Sequence, residues 1–244
     1  MHRNFSLMYA GLFAVVLAMV GCGPRITGLT VDPSFTAKSL SQGKIAVGGV
    51  ASALGDLDEG SSITYGNSLR NQIIEKRENL KVTPVGAVAS QMGKAEYKKL
   101  IDDFGRTGAI GPDGLNRLRD TIQSVRYFVF ARLEQDDVIR NRRRETVTDK
   151  KGKIISRSML ARVTRTVSAT VSIYDVLSGK TVWSANLSSN KIIQSKFDIS
   201  TGLLSLVEAV QGKTEDEKFP YPDAPTIHTM LATVFSGVGD NLPK

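Results

Sequence analysis

The chain has 244 residues but only one cysteine, two histidines and one tryptophan, and each scarcity removes a class of chemistry. A lone cysteine at position 22 permits no internal disulfide, so a large domain must be stabilised by apolar burial. One histidine, His2, lies at the extreme amino terminus, which leaves His228 as the sole imidazole of the main chain body and gives nucleophile-and-base catalysis no partner set. Metal sites fare no better. Asp56, Asp58 and Glu59 gather in a Gly-flanked loop but lack the further ligands of a calcium loop. Asp102-Asp103 and Asp136-Asp137 are adjacent pairs whose side chains diverge on a helix or strand. The glycines Gly48 and Gly49 are followed by no Gly-Lys-Ser or Gly-Lys-Thr, so they form no phosphate cradle. The expectation is a protein without catalytic, metal or diffusible-cofactor chemistry.

Apolar runs of spanning length are also missing. The longest, Leu7 to Val20, is uncharged but falls short of the roughly 20 residues that a transmembrane helix requires. It follows His2 and Arg3 and ends at Gly21, Cys22, Gly23 and Pro24, which break a helix. This is the layout of a secretory signal. Met19-Val20-Gly21-Cys22 resembles the lipobox of bacterial lipoprotein precursors, although Met19 stands where that group prefers leucine. The resemblance implies cleavage between Gly21 and Cys22, a covalent diacylglycerol and N-acyl lipid on Cys22, and anchoring of the product to a membrane. Gly23, in place of an aspartate after the cysteine, fits sorting to the outer membrane, with the domain in the periplasm.

The domain boundaries read from this are residues 1–21 as signal peptide, 22–43 as lipidated amino terminus and flexible tether, and 44–244 as one α/β domain. Pro24, Pro33 and the scattered Ser and Thr before Gly43 carry little apolar periodicity, as in a tether. Lys44 to Val50 (KIAVGGV) reads as a buried strand opening the domain, with room at Gly48 and Gly49 for a close neighbour. A helix beginning at Ser61 or Ser62 shares Tyr65, Leu69, Ile73 and Ile74 on one face, and Leu80 to Val85 returns as a strand. Two helical patterns follow, Tyr97 to Phe104 and Leu115 to Ile122.

Arg126 to Leu133 is aromatic and β-branched, as in a central strand. Val163, Val167, Ala169, Val171 and Ile173 fall on one parity and Thr164, Thr166, Ser168, Thr170 and Ser172 on the other, so one face of that strand is buried. Leu177 to Lys180 and Asp149 to Gly152 read as hairpin tips, and Asn190 to Gln194 stands as an optional extension of the sheet. Leu203, Leu204, Val207 and Val210 suggest a helix. Ile227 to Val238 forms a strongly amphipathic one, opening near Pro225 and closing near Gly239. The order implies an α/β fold with a mixed β-sheet: strand-helix alternation, then antiparallel hairpins, with helices packed on the sheet.

Charge is the positive signal. The formal net charge is +8 and falls to +7 once Arg3 is cleaved away with the signal. For an exported protein the accessible polyanions are lipid head groups and envelope polymers rather than nucleic acid, for which no binding motif is present. Arg140, Arg142, Arg143 and Arg144 form a cluster whose guanidinium groups suit phosphate or carboxylate, or protect an exposed strand edge.

The lipidated start, KIAVGGV, LKVTPV, VRYFVFARL and the hairpin VSIYDVLSGKTVWSANL, with Asp175, Gly179 and Trp183 at its turn, resemble envelope lipoproteins of the TolB amino-terminal-domain and curli-secretion (CsgG) group. That resemblance implies a non-enzymatic module binding an envelope protein or polymer, or else a homo-oligomeric secretion or export component. A membrane-spanning hairpin of the curli-secretion kind is disfavoured over Val138 to Arg165. Its many arginines and lysines would each cost about 2 to 4 kcal/mol at the bilayer midplane. An enzyme acting on a wall polymer is the remaining alternative, with no constellation to support it.

Overall fold

In a computed structural model, residues 23–199 and 214–244 are described. They form an α/β fold with a mixed six-stranded sheet in the order β1-β6-β5-β4-β2-β3. The strands are β1 Arg25–Val31, β2 Ile45–Ser52, β3 Val82–Thr83, β4 Tyr127–Thr148, β5 Ile154–Asp175 and β6 Lys180–Asp198. β2 runs parallel to β3 and β4, whereas β4, β5, β6 and β1 are successively antiparallel. The helices are α1 Ala37–Gly43, α2 Glu59–Lys76, α3 Val85–Met92, α4 Lys94–Thr107, α5 Pro112–Thr121, α6 Glu215–Lys218 and α7 Ile227–Asn241.

β2 lies between two parallel neighbours and helices pack on its faces, so every residue from Ile45 to Ala51 is buried. Gly48 has no side chain because the Phe130 ring of β4 occupies that space: a Cβ there would lie 2.1 Å from the ring. Phe130 in turn packs on Phe104 of α4 and Tyr174 of β5, with ring centroids 5.4 and 6.0 Å away. Helices α2 and α7 cover the opposite face. Gly237 of α7 approaches Leu187 of β6 so closely that a Cβ would meet it at 3.0 Å. Met230, Leu231, Val234, Phe235 and Val238 form the buried stripe of α7.

Caps set the helix limits. Asp58, rather than Ser61 or Ser62, caps α2 by accepting from the Ser61 amide at 2.9 Å, which moves the start to Glu59. Thr226 caps α7 in the same way, at 3.2 Å from the Thr229 amide. The Leu80 to Val85 strand shrinks to Val82–Thr83, because Pro84 ends the pairing and introduces α3.

The segment read as a flexible tether is part of the fold. β1 pairs with β6 from Arg25↔Ser188 to Val31↔Trp183, and Phe35 and Leu40 are 3% and 1% exposed in the core. Its apolar residues are too few for a periodic signal, yet β6 offers an open ladder edge and Thr36 supplies a full capping box for α1. KIAVGGV is therefore not the first strand. The suggested Leu203 to Val210 helix and the signal segment lie outside the described residues.

Candidate binding surface

β4, β5 and β6 are much longer than the body that they cross. β2 stops pairing at Ser52↔Leu133, and β1 begins at Arg25↔Ser188. Beyond those points β4, β5 and β6 continue together as a three-stranded antiparallel arm. At 3.3 Å per residue, residues 134–148 carry this arm about 50 Å from the body.

The four arginines of the sequence cluster sit on the arm but do not act as one cradle. Arg140, Arg142 and Arg144 pair in register with Val163, Ala161 and Met159 on one face, and Arg143 pairs with Leu160 on the other. Arg140, Arg143 and Arg144 are exposed. Arg142 is not: its side chain is 13% exposed and is engaged within the chain. Its Nε donates to the Phe219 carbonyl at 3.0 Å, Nη1 pairs with Asp216, and the guanidinium lies 4.1 Å from the Tyr221 ring centroid.

This engagement defines a strap, residues 214–226, laid along one face of the arm. Phe219 meets Phe197 of β6 edge-on at 5.8 Å. At the far end Arg165 donates to both oxygens of Asp136 at 2.6 Å and, through Nη1, to the Pro225 carbonyl at 2.8 Å. On the same register face Met159, Ala161 and Val163 are all but fully buried. The acidic run Glu215 to Glu217 forms α6, exposed to solvent and capped by Thr214. The signal was present in Phe219-Pro220-Tyr221-Pro222: two aromatics held extended by prolines seek a surface.

Arg142→Ala should free the strap. It removes one charged hydrogen bond and a cation–π contact, together worth about 2 kcal/mol of local stability. Tryptic cleavage after Lys218 should then quicken roughly 30-fold under native conditions, where cutting follows local opening. An unchanged rate would mean that Arg142 is not what holds this segment.

The other sequence candidates are committed elsewhere. Asp58 caps α2, Glu59 pairs with Lys94 at 2.7 Å, Asp102 with Lys98 at 2.6 Å and Asp103 with Arg106 at 2.8 Å. His228 is exposed in the first turn of α7. A cleft of about 480 Å³ opens beyond the carboxyl end of β2, where parallel sheets commonly bind ligands. Its Arg132 is spent on the Gly105 carbonyl and Glu134. Among the described residues no three His, Cys, Asp or Glu gather as metal ligands, and no helix is long and apolar enough to cross a membrane. Gly21 and Cys22 lie outside the described residues.

Asp175 anchors the Leu177 to Lys180 hairpin. It is 2% exposed and holds Arg126 through Nε at 3.0 Å and Nη2 at 2.7 Å, while also accepting from the Leu177 amide at 3.0 Å. Burial pushes this carboxyl up, but the Arg126 and Leu177 hydrogen bonds and the Arg126 charge outweigh it, and the carboxyl titrates below its ordinary range. Gly179 takes φ +69°, and Trp183 is buried with its Nε1 donating to the Asn241 carbonyl at 3.3 Å.

No protein-family model matches the chain, and no functionally curated protein matches it. Among solved structures it is similar to a PelC dodecamer from Paraburkholderia phytofirmans, at 18% identity and a TM-score of 0.35, over 87% of this chain and 96% of that one. It is also similar to lipoprotein GNA1162 from Neisseria meningitidis, at 19% identity and 0.34, over 70% and 94%. For the LpoB C-terminal domain from Salmonella enterica the values are 11% and 0.33, over 67% and 88%.

Proposed function

We propose that this chain is a non-enzymatic lipoprotein of the bacterial cell envelope, held at the outer membrane through Cys22 with its domain in the periplasm. It works by binding, and the partner that its arm suits best is a further copy of itself, in an oligomeric export or assembly component. Kinship with the TolB and curli-secretion group belongs to the same proposal and leans on the Asp175, Gly179 and Trp183 hairpin.

The observation that carries the oligomer is the state of the arm's edges. Among the described residues, β4 beyond Leu133 and β6 beyond Ser188 each pair only with β5, which leaves two long backbone ladders unpaired. Unpaired edges of this length are templates for another strand. The two edges belong to different strands, so copies joining β4 to β6 associate head to tail, in the geometry that closes into rings. Arg140, Arg143, Lys191 and Lys196 oppose that contact in the free chain, and salt or an anionic surface relieves the repulsion. The rival reading is a monomer binding a separate envelope protein or anionic polymer.

Mass measurement of the acylated mature protein in detergent, at 0.1 and 0.5 M salt, separates these. Oligomers should appear or grow as salt rises. A single protomer mass in both conditions, with no crosslinks between β4 and β6 of different copies, rejects the self-assembled reading and leaves the monomeric binder.

A further inference from the structure

The far end of the arm combines two features that seldom occur together on a solvated hairpin. Val147, Ile154 and Ile155 are 47%, 43% and 66% exposed there, far from the body and its core. Lys150, Lys151 and Lys153 surround them, all exposed and, among the described residues, without an ion pair. The geometry points to this tip as a docking element for an anionic lipid bilayer, with the three apolar side chains entering the headgroup boundary and the lysines remaining among the phosphates.

The local structure is built to present these groups. Asp149, the acid of the turn, points inward: its Oδ1 accepts from the Lys151 and Lys153 amides at 2.8 and 2.9 Å, which turns its charge toward the backbone. Gly152 supplies the positive φ of +79° that the turn needs, and its amide donates to the Asp149 carbonyl at 3.0 Å. The ladder then slips between Val147↔Ser156 and Thr148↔Ile154, which makes Ile155 the extra residue of a bulge. A bulge re-aims side chains out of the regular pleat. A soluble polyanion would satisfy the lysines and leave Val147, Ile154 and Ile155 in water. A bilayer interface satisfies both.

The place of the anchor sets the direction. This part rests on acylation of Cys22. Arg25 pairs with Ser188 at the root of the arm, so Cys22 is within about 10 Å of that root along a stretched chain. An arm pointing straight into the bilayer would carry its tip across the roughly 30 Å hydrocarbon core, and Arg140, Arg143 and Arg162 with it. An arm pointing away takes the tip out of reach. The arrangement that satisfies both ends is an arm lying along the membrane surface and fixed at its root by lipid, with its tip dipping into the headgroup boundary because Val147 and Ile154 stand on opposite faces of the hairpin.

The first test removes the anchor. The chain from position 22 onward carrying Cys22→Ser is floated with vesicles of phosphatidylcholine alone and with one quarter phosphatidylglycerol. Binding should require the anionic lipid. At roughly fivefold per lysine near such a surface, changing Lys150, Lys151 and Lys153 to Gln should weaken it about a hundredfold. Ile154→Ser with Ile155→Ser should weaken it at least about tenfold. The lysine variant should melt like the parent and the isoleucine variant close to it, since Ile154 and Ile155 are already 43% and 66% exposed. An environment-sensitive dye on Ile155→Cys, in the Cys22→Ser background, should shift to the blue on the anionic vesicles. Unchanged affinity in both variants, or a dye that stays in water while only the lysines matter, overturns the docking. The second test uses acylated protein with the dye on Ile155→Cys and headgroup-attached quenchers. Strong quenching supports the lying arm. Absence of quenching there, with a blue shift in the first test, overturns the orientation and its dependence on Cys22 but not the tip's affinity for lipid.

Discussion

Gly48→Ala is expected to destabilise the domain by about 3 kcal/mol, at the upper end of what one added methyl costs in a packed core. The methyl would sit 2.1 Å from Phe130, and that ring has no empty direction to yield into. It is fully buried and packs against Phe104 and Tyr174. Nor can the strand swing away, because β4 holds β2 on either side of Gly48, at Val47↔Val129 and Gly49↔Phe130. The midpoint of thermal unfolding should fall by about 6 to 12 °C for a domain of this size. Phe130→Leu in the same chain should recover part of the loss by making room, although alone it is destabilising. Additive losses in the double variant would show that Gly48 is needed for some reason other than the ring.

The second large effect concerns Asp175. Asp175→Ala leaves Arg126 without its two hydrogen bonds and the Leu177 amide without its acceptor, and should cost about 3 kcal/mol at neutral pH. The figure is set below the top of the range for buried pairs because Arg126 is 36% exposed and water takes over part of its solvation. The pH dependence has a definite sign. The folded state holds this carboxyl below its unperturbed value of 3.8. Its stabilisation is therefore complete above that value and is lost as pH falls from there through the lower folded value. Urea denaturation of the parent and of Asp175→Ala should differ fully at pH 7 and pH 5 and converge only below about pH 3.8. Convergence already between pH 7 and 5 would assign the effect to another group.

How much of this was legible in the residues follows from where burial is one-sided. The alternation Val163 to Ile173 and the stripe of α7 each border a single apolar layer and emerge in the structure as read, whereas the aromatic run before Leu133, buried on both faces, was legible from its density of aromatic and β-branched residues. The Leu177 to Lys180 and Asp149 to Gly152 tips were legible through Gly179 and Gly152, the residues that take positive φ. The arm was only half visible. From Gln135 to Thr148 both faces of β4 are largely polar and exposed, so no period of two survives, and only the pairing with β5 makes the segment a strand. β1 was hidden for a similar reason, since it lies on an edge and Ile26 is its main inward contact. The division of the Arg cluster needed the register. Adjacent arginines on a strand diverge, and the strap that takes Arg142 lies more than seventy positions away in the chain.

The short distance between Cys22 and β1 has a mechanical consequence. An anchor on a long linker absorbs tension by extending, and the domain behind it feels nothing until the slack is gone. Here only Gly23 and Pro24 intervene before Arg25 enters the sheet. β1 is antiparallel to β6 and starts at the arm's root, so a pull on the lipid within the membrane plane, toward the arm's tip, runs along the strand axis. The pairs from Arg25↔Ser188 to Val31↔Trp183 would then be loaded in shear, sharing the force together instead of peeling one by one. With Cys22 acylated, the sheet itself becomes the coupling between bilayer and domain, and motion of one is passed to the other without a compliant element between them.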